Sequence, residues 1–137
     1  MRLFFSILLF LASANMATAQ EGPLAFAAAQ APEAGTGICV EHGMGDTLAC
    51  AVSKCMTESG LGMEDCQVDA YCMPAGWSVD VFMQHQEGPH WHTFLCGWQS
   101  REQAMSAVEI ACNSDWLIEC SAVRVWSPEG NEESLGG

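Results

Sequence analysis

The sequence is poor in positive charge, with 4 Lys and Arg against 17 Asp and Glu in 137 residues. A formal net charge of −13 repels phosphate backbones and anionic lipid headgroups, which argues against binding to nucleic acid or to an anionic membrane. The same charge is compatible with a solvated acidic surface, a basic partner or a cation. No apolar run reaches the roughly 20 residues that a membrane-spanning helix needs.

The motifs of several enzyme classes are also missing. No serine lies in a G-x-S-x-G context, no glycine-rich phosphate loop is present, and no spacing selects a pair of catalytic carboxylates. The cysteines never form C-x-x-C, the spacing of zinc ribbons and thioredoxin-like redox sites. The sequence therefore predicts a non-enzymatic protein without catalytic residues.

The N-terminal residues 1–19, MRLFFSILLFLASANMATA, have the features of a secretory signal peptide. Arg2 precedes a short apolar run, and Ala17 and Ala19 form an A-x-A site before Gln20. We predict cleavage near Ala19/Gln20, a periplasmic or extracellular location, and no stable membrane anchor after cleavage.

The remaining chain is expected to form one disulfide-stabilised domain. Residues 20–35 are rich in Ala, Pro, Gly and Glu, and residues 128–137 are polar and Gly-rich, so both segments are expected to be flexible. Residues 36–127 contain all 8 cysteines. An even cysteine count behind a signal peptide indicates a disulfide framework, which a core of this size needs for stability.

The cysteine spacing indicates an internal duplication. CVEHGMGDTLACAVSKC begins at Cys39 and CGWQSREQAMSAVEIAC begins at Cys96, an offset of 57 residues, and Cys66 then matches Cys120. The repeats, about 36–72 and 93–126, each have the pattern of a strand, a helix and a strand. The expected fold is α+β: a small disulfide-rich domain built from a duplicated strand–helix–strand unit, with two helices packed on an antiparallel sheet.

Local patterns place the individual elements. Ser100 and Gln103 form a capping box at the start of the second helix, and Asp46 is the expected cap of the first. CQVDAYC and CSAVRVW are the expected strands after the helices, while SVDVFMQ and WHTFLCGW form a hairpin around QEGP. The apolar helix positions recur at helical spacing: Leu48, Ala51, Val52 and Cys55, then Ala104, Ala107, Val108 and Ala111.

Two disulfides can be predicted from residues that are near each other in the chain. Each helix ends in a cysteine and the following strand begins with one, which predicts Cys55–Cys66 and Cys112–Cys120, each contributing about 2.5 to 3 kcal/mol in the loop-entropy model. The other four cysteines have no such argument. If the units pack about a pseudo-twofold axis, Cys39 meets Cys96 and Cys50 is left for Cys72.

The run SREQAMSAVEIAC, preceded by LCGW and followed by Cys120, resembles the repeating signature of a bacterial secreted family catalogued as domain of unknown function 4189. TGICV, TLACAVSKC and CQVDAYC supply the first copy, so the resemblance covers about residues 36–126. The chain departs from the pattern at Val108 and in its additional cysteines, Cys39, Cys50 and Cys96. The resemblance implies the duplicated fold and brings no catalytic residues.

A histidine cluster is the sharpest chemical feature. In MQHQEGPHWH, a four-residue QEGP turn would place His85 opposite His90 and Met83 opposite His92, with all four side chains on one face. Three imidazoles and a thioether suit copper, the imidazoles alone suit zinc, and Glu87 could add an oxygen. The alternative is an ordinary polar hairpin tip.

The tryptophans and the charge leave several functions open. Most of the five tryptophans are expected in the core. We expect an exported interaction module that binds a protein or a cell-envelope component through a sheet edge or the hairpin. The alternatives are a periplasmic copper or zinc binder and an acidic inhibitor of a cationic secreted hydrolase. The tryptophans are Trp77, Trp91, Trp98, Trp116 and Trp126.

Overall fold

The computed structural model describes residues 22–136, which form seven strands and two helices. The predicted signal peptide lies outside these residues and stays a prediction. Within 22–136, neither helix is long and apolar enough to cross a membrane. The elements are β1 (Leu24–Ala31), β2 (Gly35–His42), α1 (Met44–Ser59), β3 (Gln67–Cys72), β4 (Trp77–His85), β5 (His90–Trp98), α2 (Arg101–Cys112), β6 (Leu117–Trp126) and β7 (Glu132–Ser134).

The strands form two antiparallel sheets, with strand orders β2-β1-β3 in the first and β5-β4-β6-β7 in the second. One apolar cluster, which includes Phe26, Ile38, Phe94 and Trp126, joins the inner faces of the two sheets. Helix α1 packs on the outer face of the first sheet and α2 on the outer face of the second. The predicted disulfide-rich α+β class is confirmed, but each helix has a sheet of its own rather than a shared one.

The duplication involves a larger unit than the sequence indicated. Both sheets are built in the same order: a hairpin, a helix, and a strand that returns beside the first strand of the hairpin. The first unit is residues 24–72 and the second is residues 77–126. The predicted repeats omitted the opening strand of each unit, β1 and β4.

The prediction that residues 20–35 are flexible is wrong from Leu24 onward. Strand β1 is central in the first sheet, and every one of its residues except Leu24 is buried. Its alanines are buried on both faces, beneath α1 on one side and the second sheet on the other, so the strand shows no alternation between apolar and polar residues. The expected flexible tail, 128–137, also contains a strand, since β7 pairs with β6.

The helix boundaries agree with the sequence for α2 and differ for α1. The Ser100 hydroxyl caps α2 by accepting a hydrogen bond from the Gln103 backbone N–H at 3.2 Å. Helix α1 instead begins after Gly43, so Asp46 lies in its first turn rather than at its cap. The residues buried on the two helices correspond at the same offset of 57: Thr47, Ala51 and Cys55, then Ala104 and Val108.

All eight cysteines form disulfides, and two of the predicted pairs are confirmed: Cys55–Cys66 and Cys112–Cys120. The predicted pairs Cys39–Cys96 and Cys50–Cys72 are wrong, because Cys39 bonds Cys50 and Cys72 bonds Cys96. The cause is the side of the sheet that each cysteine faces. Cys39 faces α1, whereas Cys96 packs against the cluster between the sheets.

The two units can be aligned residue by residue by starting from one matched pair of cysteines. Cys66 directly precedes β3 in the first unit, and its match in the second unit, Cys120, lies in β6. Counting on along these strands matches Ala70 with Arg124, and their partners on the central strands are Ala28 and Asp80. Those residues in turn pair with Ile38 and Phe94, which share the cluster between the sheets. The next residue along β5, Leu95, therefore corresponds to Cys39, because a register shift near Trp77 and Val79 displaces Cys96 by one position.

The expectation that most tryptophans belong to the core is confirmed. Trp126 is buried between the sheets, where its ring meets Phe26 edge-on at 5.6 Å. Trp77, Trp91 and Trp98 pack against the apolar cluster beneath α2. Trp116, which is 65% exposed, is the exception.

Candidate functional site

The β4–β5 hairpin forms as predicted, but its register differs by one residue. The His85 N–H donates to the Pro89 carbonyl at 2.8 Å, so three residues, Gln86 to Gly88, form the turn instead of four. Phe82 then pairs with His92, and Met83 pairs with Trp91. A shift of one residue exchanges the faces of one strand relative to the other.

The four predicted metal ligands are consequently divided between the two faces of the second sheet. Met83 packs beneath α2, and strand alternation places His85 on the same side. His90 and His92 lie on the opposite face, where both rings contact Phe82 at a centroid distance of 5.6 Å. Within residues 22–136, no three side chains of His, Cys, Asp or Glu are close enough together to hold a metal ion.

His92 belongs to a charged network that the sequence did not indicate. The carboxylate of Asp80, which is 0% exposed, accepts a hydrogen bond from Nδ1 of His92 at 2.6 Å. Its second oxygen accepts bonds from Nε and Nη2 of Arg124 at 3.1 and 2.7 Å. The Arg124 guanidinium also lies 5.4 Å from the ring centroid of Trp126. Burial of a carboxylate is costly without such partners, and here both of its oxygens are bonded.

This network holds the His92 ring in one orientation. Phe94 stacks on the ring at 6.1 Å with an interplanar angle of 14°. Nδ1 is occupied by Asp80, and no hydrogen bond within the described residues involves Nε2. An imidazole fixed in this way can present Nε2 to a ligand or to a proton, as in catalytic and metal-binding histidines.

Side chains from the first unit cover the outer edge of β5 beside this network. The Gln30 side chain accepts from the His92 N–H at 3.0 Å and donates to the His92 carbonyl at 2.6 Å, as a neighbouring strand would. It also donates to Asp69. The Glu33 carboxylate accepts from the His90 N–H at 3.1 Å. Sheet edges exposed to solvent tend to pair with other chains, and these contacts prevent it at β5.

A polar cleft of about 220 Å³, which we call the hairpin cleft, opens where the β1–β2 turn meets β5. Glu33 is the one described non-glycine residue with a positive φ, 64°, and its carboxylate lies 3.7 Å from Nδ1 of His90. The cleft therefore combines imidazoles with carboxylates. Its lining includes Gln30, Glu33, Thr36, Glu58, His90 and His92.

A larger apolar depression of about 630 Å³ lies between α2 and the end of β5, and we call it the helix groove. Ile110 is 77% exposed there, and the indole Nε1 of Trp98 is buried without a hydrogen-bond partner among the described residues. Concave sites of several hundred Å³ with apolar walls and few polar groups are typical of ligand-binding sites. The lining includes Gly97, Trp98, Gln99, Glu102, Ala107 and Ile110.

In the first unit, the helix is held against its sheet at the position that corresponds to the helix groove. The residue of the first unit that corresponds to Ala107 is Cys50, and its disulfide with Cys39 links α1 covalently to β2. Gly37 of β2 also lies so close to α1 that a Cβ there would be 1.9 Å from the Ala51 carbonyl oxygen. The second unit has no disulfide at this position, and its groove lies there instead.

Sequence reasoning identified neither the charged network nor the helix groove. Asp80 and Arg124 carried a usable signal, since each is a charged residue flanked by two valines within a predicted strand. The signal for the groove was weaker: the second copy has Ala107 and Ile110 at the positions where the first copy has Cys50 and Ser53.

Comparison of the chain with models of protein families, with curated proteins and with solved structures found no match. The resemblance to the domain of unknown function 4189 therefore stays a prediction. The four disulfides fit an oxidising environment, as outside the cytoplasm.

Proposed function

We propose that this chain is an exported, non-enzymatic binding module that holds a segment of a protein partner in the helix groove. The observation that carries the proposal is the difference between the units: where a disulfide fastens α1 to β2, α2 leaves a groove of about 630 Å³. The rest of the fold is braced by disulfides, so the groove needs little reorganisation on binding. Such preorganisation lowers the entropic cost of association.

The groove is a better site than the sheet edges at β5 and β2. The main chain of β5 is already bonded to Gln30 and Glu33. On β2, one of the two edge strands of the first sheet, the Ile38 carbonyl accepts a hydrogen bond from Lys54 Nζ at 3.0 Å. A partner strand added at either place would first have to displace these bonds.

Capture experiments with matched variants test the proposal. The mature protein is immobilised, and proteins of the cell envelope and culture medium are compared on wild type, Ala107→Trp and Glu109→Trp. Ala107 lines the groove and Glu109, on the same helix, does not. We expect one partner that wild type and Glu109→Trp retain and Ala107→Trp loses.

The captured partner is then purified and its affinity is measured for all three proteins, with urea unfolding to show that Ala107→Trp is folded. Filling a groove at the centre of an interface is expected to weaken binding by roughly a hundredfold. Equal affinity for the three proteins would remove the groove from the function.

A second candidate function, binding of zinc or copper, is favoured by the orientation of His92. Histidines that bind metals usually donate their second ring N–H to a carboxylate, and Nδ1 of His92 is bonded in this way to Asp80. His90 shares the hairpin cleft with it. Glu33 has an exposed carboxylate that would have to rotate to complete the site.

Titration calorimetry with Zn²⁺ and with Cu²⁺ tests this candidate against a histidine on the other face. We expect His92→Gln to weaken binding by roughly tenfold or more, the size of effect seen when metal-site residues are changed, and His85→Gln to leave it unchanged. An equal response of the two variants would show that any bound metal is held elsewhere.

A further inference from the structure

We infer that the segment bound in the helix groove is basic and amphipathic: its apolar side chains lie against Trp98 and Ile110, and its Lys or Arg side chains face Glu102. This inference rests on the proposed function, because it names the chemistry of the partner for the same groove. Three features of the groove lead to it.

The first feature is the apolar surface that the groove leaves in water. Ile110 on α2 is 77% exposed, which is unusual for a large apolar side chain. The corresponding residue of the first unit is polar, Ser53. Trp98 and Ala107 continue this surface toward β5. Large apolar side chains of a ligand would remove all three residues from water, which is the main source of affinity in such sites.

The second feature is the charge around the groove. Helix α2 contributes Glu102 to the lining and carries Glu109 two turns further along the same side, outside the lining. Its single cation, Arg101, is paired with Glu133 at 3.2 Å. The whole chain has a formal net charge of −13. A basic ligand is attracted to this field and an acidic one is repelled, so the field selects among apolar segments by charge.

The third feature is the set of polar groups beside the apolar surface. Gln99 and Gln103, both exposed, line the groove with side-chain amides. The main chain of a peptide can accept hydrogen bonds from amide N–H groups and donate to amide oxygens. A lipid tail or a hydrocarbon would cover these amides without offering them partners, which favours a peptide as the occupant.

Fluorescence anisotropy with labelled model peptides tests this partner chemistry on the full mature chain. The probes are an amphipathic peptide of Leu and Lys, the same peptide with Glu in place of Lys, and a Lys peptide with Ser in place of Leu. We expect the Leu–Lys peptide to bind at least roughly tenfold more tightly than either of the others, since each of them lacks one of the two attractions.

Two sets of variants show where on the protein the peptide binds: one exchanges residues between the two units, and the other removes a single negative charge. Ile110→Ser introduces the residue of the first unit and should weaken the Leu–Lys peptide by roughly tenfold, whereas Ser53→Ile on α1 should not change its affinity. Glu102→Gln should weaken it severalfold, and Glu109→Gln, which removes the same charge outside the groove, should weaken it less.

The outcomes separate this inference from the proposed function. Tighter binding of the Leu–Glu peptide that is still lost in Ile110→Ser would overturn the basic partner and leave the groove as the site. Equal losses in Glu102→Gln and Glu109→Gln would show unspecific attraction by the net charge and overturn the inference. Binding of no peptide would overturn it as well, and the proposed function would then depend on the captured partner alone.

Discussion

The two units of this protein share a topology and differ in how they are closed. In the first unit, Gly37 and the Cys39–Cys50 disulfide hold α1 tightly against β2. In the second unit, the residue corresponding to Gly37 is Thr93, the one corresponding to Cys50 is Ala107, and a groove separates α2 from the end of β5. The first copy thus has a tight helix–strand contact at a place where the second has an open groove, which is the binding site that we propose.

The inner faces of the units differ in the same sense. The first unit has Ala28 beside Ala70, where the second has Asp80 bonded to Arg124. Both the charged network and the groove therefore lie in the second unit, while the first supplies Gln30 and Glu33 as supports.

The largest loss of stability is expected when the close contact between Gly37 and α1 in the first unit is disrupted. Gly37→Thr introduces the residue of the second unit, but its Cβ would lie 1.9 Å from the Ala51 carbonyl oxygen and 2.4 Å from the Cys55 nitrogen. We expect a loss of about 4 kcal/mol or more in the free energy of unfolding, or failure to fold, measured by urea denaturation. Thr93→Ala in the second unit should cost about 1 kcal/mol or less. Similar losses at the two positions would show that the units are closed alike.

A smaller effect is expected from the charged network. Asp80→Ala copies the first unit and leaves Arg124 without its carboxylate, which should cost about 3 kcal/mol in the free energy of unfolding. The double variant Asp80→Ala with Arg124→Ala removes both charges and should be less destabilised than the sum of the two single variants. Additive losses in denaturant titrations would mean that the pair is not coupled.

The smallest effect concerns the helix caps. The Ser100 side chain caps α2, while α1 starts after Gly43 without a side-chain cap. Ser100→Ala should lower the unfolding free energy by about 1 kcal/mol, since one N-terminal N–H loses its acceptor. Ser106→Ala, an exposed substitution in the same helix, is the control and should change stability by less than about 0.5 kcal/mol. A null result for Ser100→Ala would mean that water replaces the cap.

The sequence predicted those parts of the fold that depend on local spacing. The capping box at Ser100, the helical faces and the disulfides Cys55–Cys66 and Cys112–Cys120 all join residues that are close in the chain. Closeness in the chain was not sufficient, because Cys39–Cys50 has the same sequence separation, 11, as Cys55–Cys66 and was missed. Cys39–Cys50 and Cys72–Cys96 depend on which side of a sheet Cys39 and Cys96 face. Cys96 could not be placed from sequence, since the register shift near Trp77 is a tertiary feature.

The central strand and the candidate sites were missed for related reasons. Strand β1 is covered on both faces, so LAFAAAQA has no alternation and its composition resembles that of a linker. The hairpin register depended on whether Pro89 belongs to the turn or closes it, and this one residue decided which histidines share a face. The groove is a difference between two packed copies, which no single stretch of sequence contains.

The Gln30 side chain has a consequence for self-association. Its amide is bonded to both main-chain groups of His92, so a second molecule has no unpaired main-chain groups to extend the second sheet at that residue. Growth of fibres through this strand would have to begin by breaking a bidentate amide contact within each monomer. Replacement of Gln30 by alanine would leave both main-chain groups of His92 without these partners, and we expect it to increase self-association through β5 at high protein concentration.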